Sequence, residues 1–132
     1  MRRNIIRVQD VMKRNFDTVD GMATVAEALE TMKHVETKTL IVNKRHEDDV
    51  YGIVTLTSIA RKVLAVDRAP ERVNIYEVMT KPALTTSPDM DIRYCARLFD
   101  KFKLSRAPVI EHGEICGIVS LTDMVLKGML EK

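Results

Sequence analysis

The chain of 132 residues has few of the residues that build disulfide frameworks or metal sites. Its two cysteines, Cys95 and Cys116, match neither a disulfide framework nor a zinc spacing, and its three histidines are scattered. No apolar run is long enough to cross a membrane, and the basic opening has no signal-peptide core. We therefore expect a cytoplasmic protein with no metal and no membrane contact.

Signatures of catalysis and of nucleic-acid binding are also missing. A net charge of +2 is too small to indicate a nucleic-acid partner, and the basic arm of Arg2, Arg3 and Arg7 has no interleaved aromatic residues. The sequence contains no Ser-His-Asp order, Walker loop or dinucleotide fingerprint. We predict a binding module that is not an enzyme and has no catalytic cofactor.

What the chain does contain is a repeat. The heptapeptide Gly-Ile-Val-Thr-Leu-Thr-Ser begins at Gly52, and Gly-Ile-Val-Ser-Leu-Thr-Asp begins at Gly117. A Val-Met pair ending at Met12 recurs at Met79, about 67 residues later. This spacing predicts two related units, each of which is half of a domain.

Both copies present the same order of predicted elements. An amphipathic stub, Val8–Met12 in copy one and Ile75–Met79 in copy two, leads to a short extended piece near Thr18 or Thr85, and a helix follows. N-cap residues, Thr24 and Asp91, precede the two helices, and Thr24 with Glu27 forms a capping-box pattern. The predicted apolar faces are Val25, Ala28, Leu29, Met32 and Val35 in copy one, and Ile92, Cys95, Ala96, Phe99 and Phe102 in copy two.

A strand pair and a second helix complete each copy. The predicted strands cover 39–42 and 50–54 in copy one, and 106–110 and 115–119 in copy two. The repeats therefore extend over 8–66 and 75–130. The polar, proline-containing segment 67–74 is predicted to be a linker.

This duplicated order resembles a tandem pair of CBS domains (cystathionine beta-synthase domains), often called a Bateman module, over roughly Val8 to Leu130. The resemblance implies an α/β protein of the α+β type, with two β-α-β-β-α units packed about a pseudo-twofold axis. It also implies a regulatory module that binds an adenosine ligand in clefts between the paired sheets. Since no effector domain accompanies the pair, we expect it to be free-standing or to regulate a separate enzyme or transporter.

The resemblance assigns the ribose of that ligand to Asp123 and places Ser120 and Thr122 against the nucleotide. A carboxylate suits this role because its two oxygens can accept hydrogen bonds from both hydroxyls of a ribose diol. A structural alternative stays open, because Ser120-Leu121-Thr122-Asp123 is also a capping-box pattern that needs no ligand.

The matching site of copy one differs from this pattern. Thr55 and Thr57 keep the hydroxyls, but Ser58 replaces the carboxylate. A single hydroxyl brings no charge to a diol. We therefore predict one competent site and one degenerate site.

The resemblance implies that the opposite copy completes each cleft. The predicted wall residues are Met12, Asp17 and Thr37 for the Asp123 cleft, and Met79, Leu84 and Leu104 for the Ser58 cleft. Core packing is the alternative for the methionines and Leu104. Arg106 matches a family position that contacts phosphate, and Lys38 lies near that position in copy one; the alternative for both is a solvated cation.

Two functions follow as hypotheses. The first is a sensor of an adenosine ligand, with AMP, ADP or ATP preferred to S-adenosylmethionine. The second is a dimerisation or partner-docking module whose clefts bind nothing. A homodimer is expected in either case, because the second helices carry a wide apolar surface, consisting of Ile59, Val63, Leu64, Val66, Met124, Val125, Leu126, Met129 and Leu130.

Overall fold

Two segments that are far apart in sequence fold together in the computed structural model, which describes residues 4–130. Unit 1 combines the described residues up to Asn15 with those from Leu84 onward, and unit 2 comprises Phe16–Ala83. Each unit therefore holds the stub of one repeat and the strands of the other. Arg2 and Arg3 of the basic arm lie outside the described residues.

Five α-helices and five β-strands are described for residues 4–130. The helices are α1 (Val8–Val11), α2 (Val25–Thr31), α3 (Leu56–Ile59), α4 (Ile92–Phe102) and α5 (Leu121–Asp123), and the strands are β1 (Asp17–Val19), β2 (Thr39–Val42), β3 (Gly52–Thr55), β4 (Arg106–Glu111) and β5 (Glu114–Ser120). Helix α3 continues as a π-helix over Ala60–Leu64, and α5 continues over Met124–Met129.

Unit 2 contains a three-stranded sheet in the order β1-β2-β3. Strand β2 pairs in parallel with β1 and antiparallel with β3, and its central position buries all four of its residues. The predicted capping box of α2 is formed, with the Glu27 N–H donating to Thr24 Oγ1 over 3.1 Å and the Thr24 N–H donating to Glu27 Oε1 over 2.9 Å. Within the predicted linker, Val73 is buried and its carbonyl accepts from the Val25 N–H.

The predicted apolar face of α2 is wrong at Leu29, which is 40% exposed, and it is also too long. The helix ends at Thr31, and Val35 lies in a separate 3-10 turn, where it is exposed. The Asp17 carboxylate accepts from the N–H groups of Lys33 and His34, which follow the helix. These two hydrogen bonds hold the backbone of Lys33 and His34 in a conformation that does not continue the helix.

Unit 1 contains the antiparallel pair of β4 and β5. The extended piece predicted near Thr85 appears as a single parallel bridge between Thr86 and Val109. Asp91 caps α4 by accepting from the Arg93 N–H over 2.9 Å. The predicted face of α4 is wrong at Phe102, which is the last residue of the helix and is about half exposed.

In each unit the stub and the residue after it cross the strand that carries the Gly-Ile-Val motif, which is β5 in unit 1 and β3 in unit 2. Lys13 and Ile118 exchange two backbone hydrogen bonds of 2.9 Å, and Thr80 and Ile53 exchange two of 2.9 and 3.0 Å. Because the two crossings are equivalent, Lys13 in unit 1 corresponds to Thr80 in unit 2.

The residues predicted to form the association surface fall into a buried group and an exposed group in the structure. Ile59, Val63 and Met124 are buried in the cores of their own units, so assigning them to an intermolecular face was wrong. The apolar residues of this surface that remain exposed are Leu64, Val125, Leu126 and Met129 on the two helices, and Val66 and Leu130 just beyond their ends. Within residues 4–130, no helix has the length and apolar character needed to span a membrane.

Candidate functional site

Asp123 is a buried carboxylate surrounded by cations in unit 1. It lies one helical turn beyond the end of β5 and is 5% exposed. Lys13 Nζ lies 2.6 Å from Asp123 Oδ2, and Lys127 Nζ lies 3.6 Å from Oδ1. The Ser120 hydroxyl donates to Oδ2 over 3.2 Å. These contacts hold the Asp123 carboxylate in its ionised form.

The electrostatics follow from these contacts. Burial alone would raise the pKa of Asp123, but the hydrogen bond and charge of Lys13, the charge of Lys127 and the hydrogen bond from Ser120 together lower it. Burial lowers the pKa of half-buried Arg106, and the Asp123 charge acts in the opposite direction. Two lysines thus contact one carboxylate, and the charge of Arg106 also acts on it. This local positive charge favours an additional anionic group such as a phosphate.

Ser120 has a structural role in the described fold. Its hydroxyl accepts from the Asp123 N–H over 3.1 Å and caps the helix that begins at Leu121. This is the N-cap half of the capping-box alternative. Thr122 is exposed on the first turn of the same helix. A ligand at Asp123 would share these groups with the helix cap.

The corresponding positions of unit 2 lack most of this charge. Ser58 replaces Asp123, and its hydroxyl faces the Val78 carbonyl at 3.4 Å. Thr80 stands in the place of Lys13, and Thr39 in the place of Arg106 by strand register. The Thr55 hydroxyl caps α3 by accepting from the Ser58 N–H, and Thr57 is exposed.

The predicted wall residues are distributed over both units. Met12 lies in unit 1 with Asp123, and Met79 lies in unit 2 with Ser58. Asp17 and Thr37 belong to unit 2. The Asp17 carboxylate accepts hydrogen bonds from two backbone N–H groups, and the Thr37 hydroxyl donates to the His34 carbonyl over 2.8 Å.

The other three candidates have less specific surroundings. Leu84 and Leu104 are partly buried in unit 1, and Leu104 packs against the apolar core of that unit. Lys38 is an exposed residue in the left-handed conformation, with φ 57°, and its carbonyl accepts from the Leu56 N–H at the start of α3. The assignment of all these residues to a ligand stays a prediction.

Lys13 is the feature of the site that the motif did not reveal. It lies 110 residues from Asp123 in sequence, and only the placement of the stub in unit 1 brings the two together. One signal was present: the residue after the repeated Val-Met pair is lysine in one copy and threonine in the other. That difference accompanies the difference between Asp123 and Ser58.

Comparisons with known proteins place this geometry in context. The family model described as CBS domain matches residues 8–65 and 75–128. A hexameric CBS-CP12 protein from bloom-forming cyanobacteria superposes with a TM-score of 0.89 and 41% identity, over 93% of this chain and 71% of that one. Protein MK0525 of Methanopyrus kandleri is 26% identical over 122 residues, which are 91% of this chain and 61% of that protein. The chain thus spans about three fifths of the length of this relative.

A third similarity concerns the fold. The CBS domain pair of protein MJ0100, in complex with 5′-methylthioadenosine and S-adenosyl-L-methionine, superposes with a TM-score of 0.78. The sequence identity is 24%, over 97% of this chain and all of that one. At this identity the comparison shows a common fold.

Proposed function

Because the chain belongs to the CBS-domain family, we propose that it is a regulatory module that binds a phosphorylated adenosine ligand at Asp123. The observation that carries this proposal is the buried, ionised carboxylate with Lys13, Lys127 and Arg106 around it. The carboxylate offers an acceptor to a ribose diol, and the surrounding cations favour a phosphate. The complex of MJ0100 with adenosine derivatives supports the choice of adenosine for this fold.

We also propose that the site binds its ligand without transforming it. Asp123 is held by two lysines and a hydroxyl, which suits it to accept hydrogen bonds rather than to transfer a proton near neutral pH. We therefore propose a ligand-sensing module and no reaction at this site.

A thermal-shift panel tests the proposal. A ligand that binds only the folded state raises the melting temperature, by an amount that grows with its concentration above Kd. We expect AMP, ADP or ATP to raise the melting temperature of the wild-type chain, with ribose 5-phosphate and GMP as controls that lack the adenine base. If no adenosine ligand produces a shift, the docking-module alternative is favoured.

A gain of function is expected at the degenerate position. Ser58→Asp restores a carboxylate in unit 2, but Thr80 there supplies no ammonium. We therefore expect the double variant Ser58→Asp with Thr80→Lys to bind about one additional nucleotide per chain, and Ser58→Asp alone to bind it more weakly. Calorimetric stoichiometry measures this difference. A wild-type chain that already binds two nucleotides equally well would contradict the degenerate-site interpretation.

Self-association through the exposed helical residues is the second part of the proposal. Leu126 and Met129 are 57% and 74% exposed on the continuation of α5, and exposed apolar surface of this kind commonly marks an interface. The hexameric assembly of the CBS-CP12 protein supports association. A twofold contact is the simplest closed solution, so we propose a homodimer.

Sedimentation at micromolar concentration tests the homodimer. We expect the wild-type chain to have twice its monomer mass of 15.0 kDa, and the variant Leu126→Glu with Met129→Glu to be monomeric. Met22→Glu is the matched control, since Met22 is similarly exposed outside the helical surface. A wild-type monomer, or a double variant that stays dimeric, would contradict the assignment.

A further inference from the structure

The carboxylate proposed to bind ribose is already occupied by a residue of the chain itself. Lys13 Nζ donates to Asp123 Oδ2 over 2.6 Å, and the Lys13 side chain is 28% exposed. Its backbone is fixed by the two hydrogen bonds to Ile118. The ammonium can therefore leave the carboxylate by a change of side-chain rotamer, while the main chain stays in place.

The two repeats indicate that Lys13 and Asp123 form a functional pair. Where unit 1 has Asp123 and Lys13, unit 2 has Ser58 and Thr80 at equivalent positions. A lysine facing a serine would have lost its anionic partner, and an aspartate facing a threonine would be a buried carboxylate with one fewer cation. The two positions therefore differ together between the units. Unit 1 has a charged pair, and unit 2 has two uncharged residues.

Displacement of this lysine has an electrostatic cost that depends on the ligand. When a ribose diol takes Asp123 Oδ2, the ammonium loses a charge-assisted hydrogen bond in a partly buried place. A ligand with a 5′-phosphate supplies a new anion on the same ribose, whereas neutral adenosine supplies none. A cationic sulfonium ligand adds repulsion from Lys13, Lys127 and Arg106.

We propose that Lys13 selects phosphorylated adenosine ligands, because the ribose must displace it from Asp123 and the phosphate then receives it. This inference rests on the proposed function and names the ligand class of the same site. It places AMP and its higher phosphates above adenosine, 5′-methylthioadenosine and S-adenosylmethionine.

Calorimetric titration with AMP and adenosine tests the selection. We expect wild-type protein to bind AMP at least about tenfold more tightly than adenosine, the scale of one charge-assisted contact. In Lys13→Met this ratio should fall to about threefold or less, because adenosine binds more tightly once the competing ammonium is gone and AMP loses a phosphate ligand. Lys13→Arg should keep most of the ratio, and Thr80→Met, at the equivalent position of unit 2, should leave it unchanged.

The outcomes separate the two claims. If AMP and adenosine bind wild-type protein equally, or if Lys13→Met keeps the wild-type ratio, the role of Lys13 is wrong while adenosine binding stands. If neither ligand binds, the proposed function fails and the selection fails with it. Should Lys13→Met not fold, judged by circular dichroism, Lys13→Gln provides the same comparison.

Discussion

Replacement of Asp123 by alanine is expected to lower the affinity for AMP about tenfold or more and to abolish the preference for AMP over 2′-deoxy-AMP. A hydrogen bond to a charged group contributes about 1.5–3 kcal/mol, and about 1.4 kcal/mol corresponds to a factor of ten in Kd. The lost affinity is that of the ribose contact, because the carboxylate is the acceptor that the diol would use.

The variant retains the cations, and this gives the experiment a second readout. Lys13, Lys127 and Arg106 still attract phosphate after Asp123 is gone, so residual binding should become more sensitive to salt and indifferent to the 2′-hydroxyl. Ser58→Ala is the matched control in unit 2 and should leave AMP affinity unchanged if that site is degenerate. Equal AMP affinity in the wild-type protein and in Asp123→Ala would show that the ribose lies elsewhere.

The second large effect is expected at Gly117, where the stub of unit 1 crosses β5. A methyl group added there would lie 2.7 Å from the Lys13 carbonyl oxygen and 2.8 Å from Met12 Sδ. Both separations are below contact distance, and the oxygen belongs to backbone held by hydrogen bonds to Ile118. Gly117→Ala should therefore lower the free energy of unfolding by about 1–3 kcal/mol, the usual range for overpacking.

Gly52 provides a control in the same motif of unit 2. A methyl group there would lie 3.2 Å from Met79 Sδ and 3.3 Å from the Thr80 carbonyl oxygen, contacts that a small adjustment relieves. The gain of about 0.4–1 kcal/mol from restricting the unfolded chain should offset much of that cost. Urea denaturation of both variants measures the difference, and equal losses would mean that the two crossings are packed alike.

Local features of the fold were predictable because their causes lie within a few residues. The caps Thr24 and Asp91 are read from the side chain and the apolar stripe that follows, and both form in the structure. The strand pairs were predicted for the same reason, since short apolar runs end in polar turns. At most of the strand ends, the observed and predicted boundaries differ by one or two residues.

Features set by contacts between distant residues were not predictable. Helix α2 stops at Thr31, and the chain after it is held by Asp17, which lies 16 and 17 residues away from the N–H groups of Lys33 and His34. The apolar period continues through Val35 and carries no sign of this contact.

Each unit holds the stub of the other repeat, and the sequence could not show this for a different reason. Each stub pairs with a Gly-Ile-Val strand through backbone hydrogen bonds, and the two strands have the same motif. The repeat pattern is therefore compatible with either pairing. As a result, Asp123 could be predicted as a candidate ligand from the motif, whereas its ion pair with Lys13 required the structure.

A crystal structure of the chain with AMP tests the central claim most directly. The account predicts both ribose hydroxyls within hydrogen-bond distance of the Asp123 carboxylate, with Lys13 Nζ moved from Oδ2 to the phosphate. A nucleotide bound elsewhere, or one bound while Lys13 Nζ stays 2.6 Å from Asp123 Oδ2, would contradict it.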